Sequence, residues 1–137
     1  MDQARAARSE LLALAEEDVT AFTAFMEALK LPKNSESERA ARAATLSSAA
    51  QRAAEVPLAT LRASVTVAEA AKSITDRSLA SAESDLAVAA RFARAAGESA
   101  AENVEANLPF IEDAETRGTL ARQTQAALSA LHRATPQ

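Results

Sequence analysis

The sequence predicts an all-α protein, an antiparallel up-and-down bundle of about five helices, and three observations lead there. Alanine fills 38 of the 137 positions, with Leu, Glu and Arg in much of the remainder, and these are the strong helix formers. Aromatic residues make up 3% of the chain, whereas a β-protein draws on Val, Ile, Thr and aromatics. Large apolar residues recur at spacings of three, four and seven, and most of the four prolines fall where such a stretch ends or begins.

The first helix is expected from about Gln3 to Leu31. Leu11, Ala15, Phe22, Phe25 and Leu29 mark its apolar stripe. Pro32 stops it, because the residue before a proline is pushed out of the α region. Ser35 then opens S-E-S-E, a capping box with Glu38 at its third position. The second helix is expected to reach about Glu55. Pro57 marks a break and begins a third helix that runs to about Thr75, since proline is tolerated in a first turn. Residues 75–78 form a short loop or a kink. A fourth helix ends near Leu108, before Pro109, and a fifth runs from near Glu112 to Ala134 with Gly118 inside it. The tail Thr135-Pro136-Gln137 is expected to fray. Such short connections favour antiparallel neighbours, and 137 residues suit one domain, spanning 1–137.

Composition removes several classes of function. Without cysteine there is no thiolate nucleophile and no Cys-ligated metal. His132 is the one histidine, so neither a histidine metal site nor a Ser-His-Asp hydrolase has support. Two glycines cannot supply a dinucleotide or phosphate loop. A net charge of −4 without Trp or Tyr argues against nucleic acid. No apolar run approaches the roughly 20 residues of a membrane span, and no signal peptide opens the chain, so a cytoplasmic protein is expected.

Some polar residues occupy unexpected places. Asp18 lies on the first helix's stripe, seven residues after Leu11 and four before Phe22. It is expected to be substantially buried, with its pKa pushed up unless it is paired; otherwise it is a polar residue at the stripe's edge. Asp85, Phe92, Ala96, Asn103 and Asn107 share one face of the fourth helix. Asp85 and Asn103 are about 27 Å apart at 1.5 Å per residue, too far for one small site within a monomer. Ser84-Asp85 reads equally as a helix cap, and the two asparagines as hydrogen bonds to neighbouring helices. Lys30, Lys33, Arg39 and Arg42 gather at one end of the bundle. They either complement a helix dipole or clamp an anionic group. His132 is expected at the surface.

In series, Asp18-Val-Thr-Ala-Phe22, Leu31-Pro32-Lys33, Glu38-Arg-Ala-Ala-Arg42, Val56-Pro57-Leu58, Ser84-Asp85-Leu86, Asn103-Val104 and Asn107-Leu108 resemble the cyclodeaminase/cyclohydrolase family. This family comprises the C-terminal domain of formimidoyltransferase-cyclodeaminase and the bacterial methenyltetrahydrofolate cyclohydrolases. The resemblance runs from about Leu11 to Leu120. The family's N-terminal glycine-rich segment has no counterpart here, so the domain is N-terminally short relative to it.

The resemblance implies a conversion at the one-carbon unit of tetrahydrofolate. In cyclodeamination a folate nitrogen attacks the formimino carbon and ammonia leaves; in cyclohydrolysis water attacks the cationic methenyl carbon. Either needs a proton-transfer group, a part for which Asp18 and Asp85 are the candidates. Lys33 and Arg42 would hold the anionic glutamate tail, and Ser84, Asn103 and Asn107 would complete the substrate site. The substrate brings its own reactive carbon, so no metal and no further cofactor is implied. Reduced folate and a second copy of the chain are the expected partners. The other reading is a non-catalytic helical assembly module descended from the same family.

Overall fold

The computed structural model describes residues 2–75 and 79–135. It is built of four α-helices among these residues: α1 (Asp2–Lys30), α2 (Glu36–Ile74), α3 (Glu83–Asn107) and α4 (Ala114–Ala134). Single 3₁₀ turns precede α3, at Ala80–Ala82, and follow it, at Leu108–Phe110. The capping box at the start of α2 is complete. The Ser35 hydroxyl accepts from the Glu38 amide, and the Glu38 carboxylate accepts from the amides of Asn34 and Ser35. Asp113 caps α4 by accepting from the Thr116 amide at 2.8 Å.

Four helices replace the expected five because Pro57 does not break the chain. It lies buried inside a continuous α2 of 39 residues. A proline removes the amide that would bond the carbonyl four residues back, here that of Ala53. That carbonyl instead accepts a hydrogen bond from the Asn107 side-chain amide at 3.2 Å. A partner 54 residues away satisfies the orphaned group, and the helix continues. Of the proposed boundary at 75–78, Thr75 ends α2 and residues 76–78 lie outside the described residues. The expected fraying fails at Thr135, which is buried and donates its hydroxyl to the Leu131 carbonyl; Pro136 and Gln137 lie outside the described residues.

Helix α2 is the spine. Glu17 pairs with Arg52, and Arg42 bonds the Leu29 carbonyl, so α1 runs back along the first half of α2. Asn107 meets Ala53 while Gly97 meets Leu61 and Ser64, so α3 also opposes α2. Helix α4 bonds α2 through Arg62–Gln123 and Lys72–Arg133, in the same direction as α2. The main core lies among α2, α3 and α4, with Leu58, Leu61, Val104, Ile111, Leu120 and Leu131 at its centre. A smaller core joins Leu14 and Ala21 of α1 to Ala53 and Val56 of α2. Phe25 of α1 stacks edge-on against Phe110, ring centroids 5.1 Å apart.

Glycine is required at one crossing. A Cβ on Gly97 would stand 2.5 Å from Leu131 Cδ2 and 3.1 Å from Leu61 Cδ1. Both leucines are fully buried, so α3 approaches α2 and α4 as closely as it does because position 97 has no side chain.

Candidate functional site

The seven candidate residues fall into three groups along α2. Asp18, Asn103 and Asn107 lie at its middle. Lys33 and Arg42 lie at the α1–α2 connection, and Ser84 and Asp85 lie on the first turn of α3 at the opposite end.

The middle group is built around one turn of α2. Glu17 pairs with Arg52, so the next residue of α1, Asp18, stands level with the Arg52–Ala53 turn. On the other flank, Asn107 of α3 bonds the Ala53 carbonyl itself. Asn107 donates twice, to Ala53 O at 3.2 Å and to Asn103 O at 2.8 Å. Both neighbours are carbonyls, so the amide nitrogen must face them. The Asn107 side chain is thus fixed by α2, as a hydrogen bond between helices was one reading of the asparagine pair. Asn103 is exposed one turn earlier on α3.

The burial expected of Asp18 is overturned: the residue is exposed. The faces of α1 explain the difference. Its buried residues are Ala7, Leu14, Ala21 and Ala28, spaced by seven, and they pack on α2. Phe22, on the expected apolar stripe, is 61% exposed. At about 100° per residue, Asp18 projects between Leu14 on the buried side and Phe22 on the exposed side. It therefore stands at the seam between the two apolar faces, in solvent within a single chain.

At the connection, Arg42 donates from Nη2 to the Leu29 carbonyl at 3.2 Å. This satisfies one of the orphan carbonyls at the end of α1 and complements its dipole. Arg42 Nε is buried with no hydrogen-bond partner among the described residues. Arg39 reaches the Lys33 carbonyl at 3.5 Å, and Lys30 pairs with Glu27. Lys33 itself is exposed. Arg42 lies about 16 Å along α2 from Ala53 at 1.5 Å per residue.

The capping reading of Ser84-Asp85 fails. The residue before α3 is Ala82, and no side chain caps it. Asp85 instead places a carboxylate in the first turn, where the helix dipole favours it. Both residues are exposed and far from the middle group.

None of the seven candidates lines the clefts that follow, although one of about 420 Å³ between α1 and α2, beside Glu17 and Arg52, adjoins Asp18. One of about 490 Å³ lies between the end of α2, the start of α3 and the end of α4, over Leu86, Ala87 and Ala90. One of about 520 Å³ lies between α2 and the start of α4, beside Glu55, Arg62 and Asp113. No group of acidic residues and histidine among the described residues has the geometry of a metal site. No helix among them is long and apolar enough to cross a membrane.

One polar cluster had no signal in the sequence. Glu98 of α3 accepts from Arg94 Nε and pairs with His132 Nε2 of α4, both at 2.9 Å. The Arg94 hydrogen bond, seconded by that of His132, holds the Glu98 carboxyl below its usual value of 4.5. His132 is exposed, as expected, yet joins two helices whose contact a linear pattern does not display.

Residues 1–126 match the model of the formiminotransferase-cyclodeaminase family, and the chain belongs to that family. Over 113 residues it is 36% identical to a protein of Methylorubrum extorquens strain AM1 named methenyltetrahydrofolate cyclohydrolase. The match covers 82% of this chain and 54% of the relative, so the chain spans about half the length of the curated protein that it matches.

Proposed function

We propose that the chain acts in folate one-carbon metabolism as a methenyltetrahydrofolate cyclohydrolase-type enzyme. The name of the 36% identical relative supports this reading. The observation that carries it to particular residues is that Asp18, next to the Glu17 that pairs with Arg52, and Asn107, which bonds the Ala53 carbonyl, stand at the level of one turn of α2. The reduced pterin lies between α1 and α3 at that level, and the glutamate tail extends towards Arg42 and Lys33. Asp18 acts as the base. A water oxygen bonds to the methenyl carbon and gives one proton to the carboxylate. The resulting carbinolamine then forms the formyl C=O on N10 and breaks its bond to N5, which takes the hydroxyl proton. One proton is released overall. Asp85 stands too far away to share this step within one chain.

The enzyme works as a homodimer through the outer face of α1. Leu12, Val19, Phe22 and Met26 are 61, 66, 61 and 38% exposed. With Ala15 they form a three-four heptad seam. They leave an apolar patch on the order of 400 Å², within the range of the largest patch on a monomer, which is often functional. Two such patches with a polar rim reach the roughly 1,200–2,000 Å² of a standard interface. A second copy seated there would draw Asp18, at the seam's edge, out of water.

The test is hydrolysis of 5,10-methenyltetrahydrofolate, followed by the loss of its near-ultraviolet absorbance, for the wild type and Asp18→Asn. Turnover in the wild type and its loss in the variant are expected. Turnover of 5-formiminotetrahydrofolate instead would assign the cyclodeaminase reaction. If neither substrate reacts and 5-formyltetrahydrofolate does not raise the melting temperature, the folate reading fails and the assembly-module reading stands.

A further inference from the structure

Pro57 and Asn107 form a unit whose parts lie far apart in sequence. The proline leaves the Ala53 carbonyl without its helical donor. Asn107 Nδ2 takes up that carbonyl with one hydrogen and the Asn103 carbonyl with the other. An Asn side chain has two donor hydrogens and one acceptor oxygen, so no donor is left over. Among the described residues nothing donates to Asn107 Oδ1. The side chain is only half-buried, and Oδ1 is not among the buried polar atoms that lack a partner; the oxygen therefore has solvent access. Ala53, with Val56, also belongs to the small core that holds Leu14 and Ala21, the buried α1 residues either side of Asp18. The pinned carboxamide thus sits where α1, α2 and α3 converge.

We infer that Pro57 is a positioning residue: by freeing the Ala53 carbonyl it locks Asn107 so that the side chain meets a ligand through Oδ1, as an acceptor only. The group recognised is an N–H donor. On the folate reading, on which the ligand's identity rests, this is the amino-pyrimidinone edge of the reduced pterin. A freely rotating asparagine offers donor or acceptor indifferently; a pinned one discriminates. The rotamer is fixed before binding, which spares the ligand that ordering cost.

The experiment compares the wild type with Pro57→Ala, Asn107→Ala and Asn107→Asp. Replacing the proline by alanine restores a backbone amide that bonds the Ala53 carbonyl, so Pro57→Ala is expected to melt no lower than the wild type. The side-chain amide protons of Asn107, followed by ¹⁵N NMR, are expected to exchange slowly in the wild type and faster in Pro57→Ala. Affinity for 5-formyltetrahydrofolate is expected to fall about five- to tenfold in Pro57→Ala and in Asn107→Ala, the worth of one hydrogen bond, and to fall less in Asn107→Asp, which keeps an acceptor oxygen but loses the donors that pin it. In turnover, KM rises while kcat holds. A loss of affinity without a loss of stability separates positioning from scaffolding. Unchanged amide exchange in Pro57→Ala overturns the inference, as does unchanged affinity. If the wild type binds no folate, the folate reading fails, and the amide exchange alone then decides whether Pro57 locks Asn107.

Discussion

Helix α1 and the α2–α3–α4 core use the same residues to opposite ends. In the core, three helices converge on Gly97, and the large side chains Leu61, Val104 and Leu131 are fully enclosed. On α1 the enclosed residues are mostly alanines, and the large ones, Leu12, Val19 and Phe22, face outward. The apolar arc of α1 is about twice as wide as one neighbouring helix can cover. A helix apolar over such an arc is built for two contacts, and a single chain supplies one. The core is closed by its own sequence; the outer face of α1 is left open by a single chain.

The largest expected effect lies at the core's tightest point. Gly97→Val places two methyl groups where even a Cβ meets Leu131 at 2.5 Å. Leu131 and Leu61 are both fully enclosed, so neither can swing out into solvent. Overpacking costs about 1–3 kcal/mol or more, against only about 0.3–0.5 kcal/mol regained from helix propensity, since valine is itself a weak helix former. A loss of roughly 2 kcal/mol or more in urea unfolding is expected. A variant as stable as the wild type would show that the three-helix crossing is loose.

The contrasting prediction concerns α1. Phe22→Asp exchanges an already exposed ring for a charge, so the chain's own stability is expected to change by no more than about 0.5 kcal/mol. Self-association is expected to be lost. Light scattering would read about twice the chain mass of 14.3 kDa for the wild type and the single mass for the variant. A wild type that is monomeric at micromolar concentration would break the comparison at its centre, because the outer face of α1 would then be ordinary surface.

The same contrast explains what could be read from the sequence. Helix content, the capping box at Ser35 and the family were legible, because propensity, caps and short motifs are local. The inner face of α1 was not. Leu11, Phe22 and Phe25 mark a stripe by size, but the contact with α2 uses Ala7, Ala21 and Ala28, whose small side chains let the backbones approach. Pro57 reads as a helix break because its remedy, Asn107, lies in another helix. That Asp18, Asn103 and Asn107 lie near one level of the bundle emerges only when α1 and α3 flank α2, and the solvent exposure of Asp18 depends on which face of α1 meets α2, which is not encoded locally. For Arg42, the dipole reading and the clamp reading differ only in the partner, and the Leu29 carbonyl is visible only once α1 and α2 are side by side.

The smallest expected effect sharpens the comparison at the core's edge. Glu98 ties α3 to α4 through Arg94 and His132, but its side chain is 41% exposed, and exposed ion pairs contribute about 0–1 kcal/mol. The two hydrogen bonds lower its folded pKa below 4.5. A carboxylate depressed in the folded state stabilises the protein above the unfolded pKa, and the contribution is lost as pH falls through the folded value. Glu98→Gln is therefore expected to lower the urea midpoint slightly at pH 7. It should also flatten the fall in stability between about pH 5 and pH 3, so that wild type and variant converge in acid. Parallel curves with a constant offset would mean that Glu98 acts through packing rather than charge. A large offset at neutral pH would mean that the α3–α4 contact depends on this surface cluster, and that the enclosed leucines do less to close the core than their burial implies.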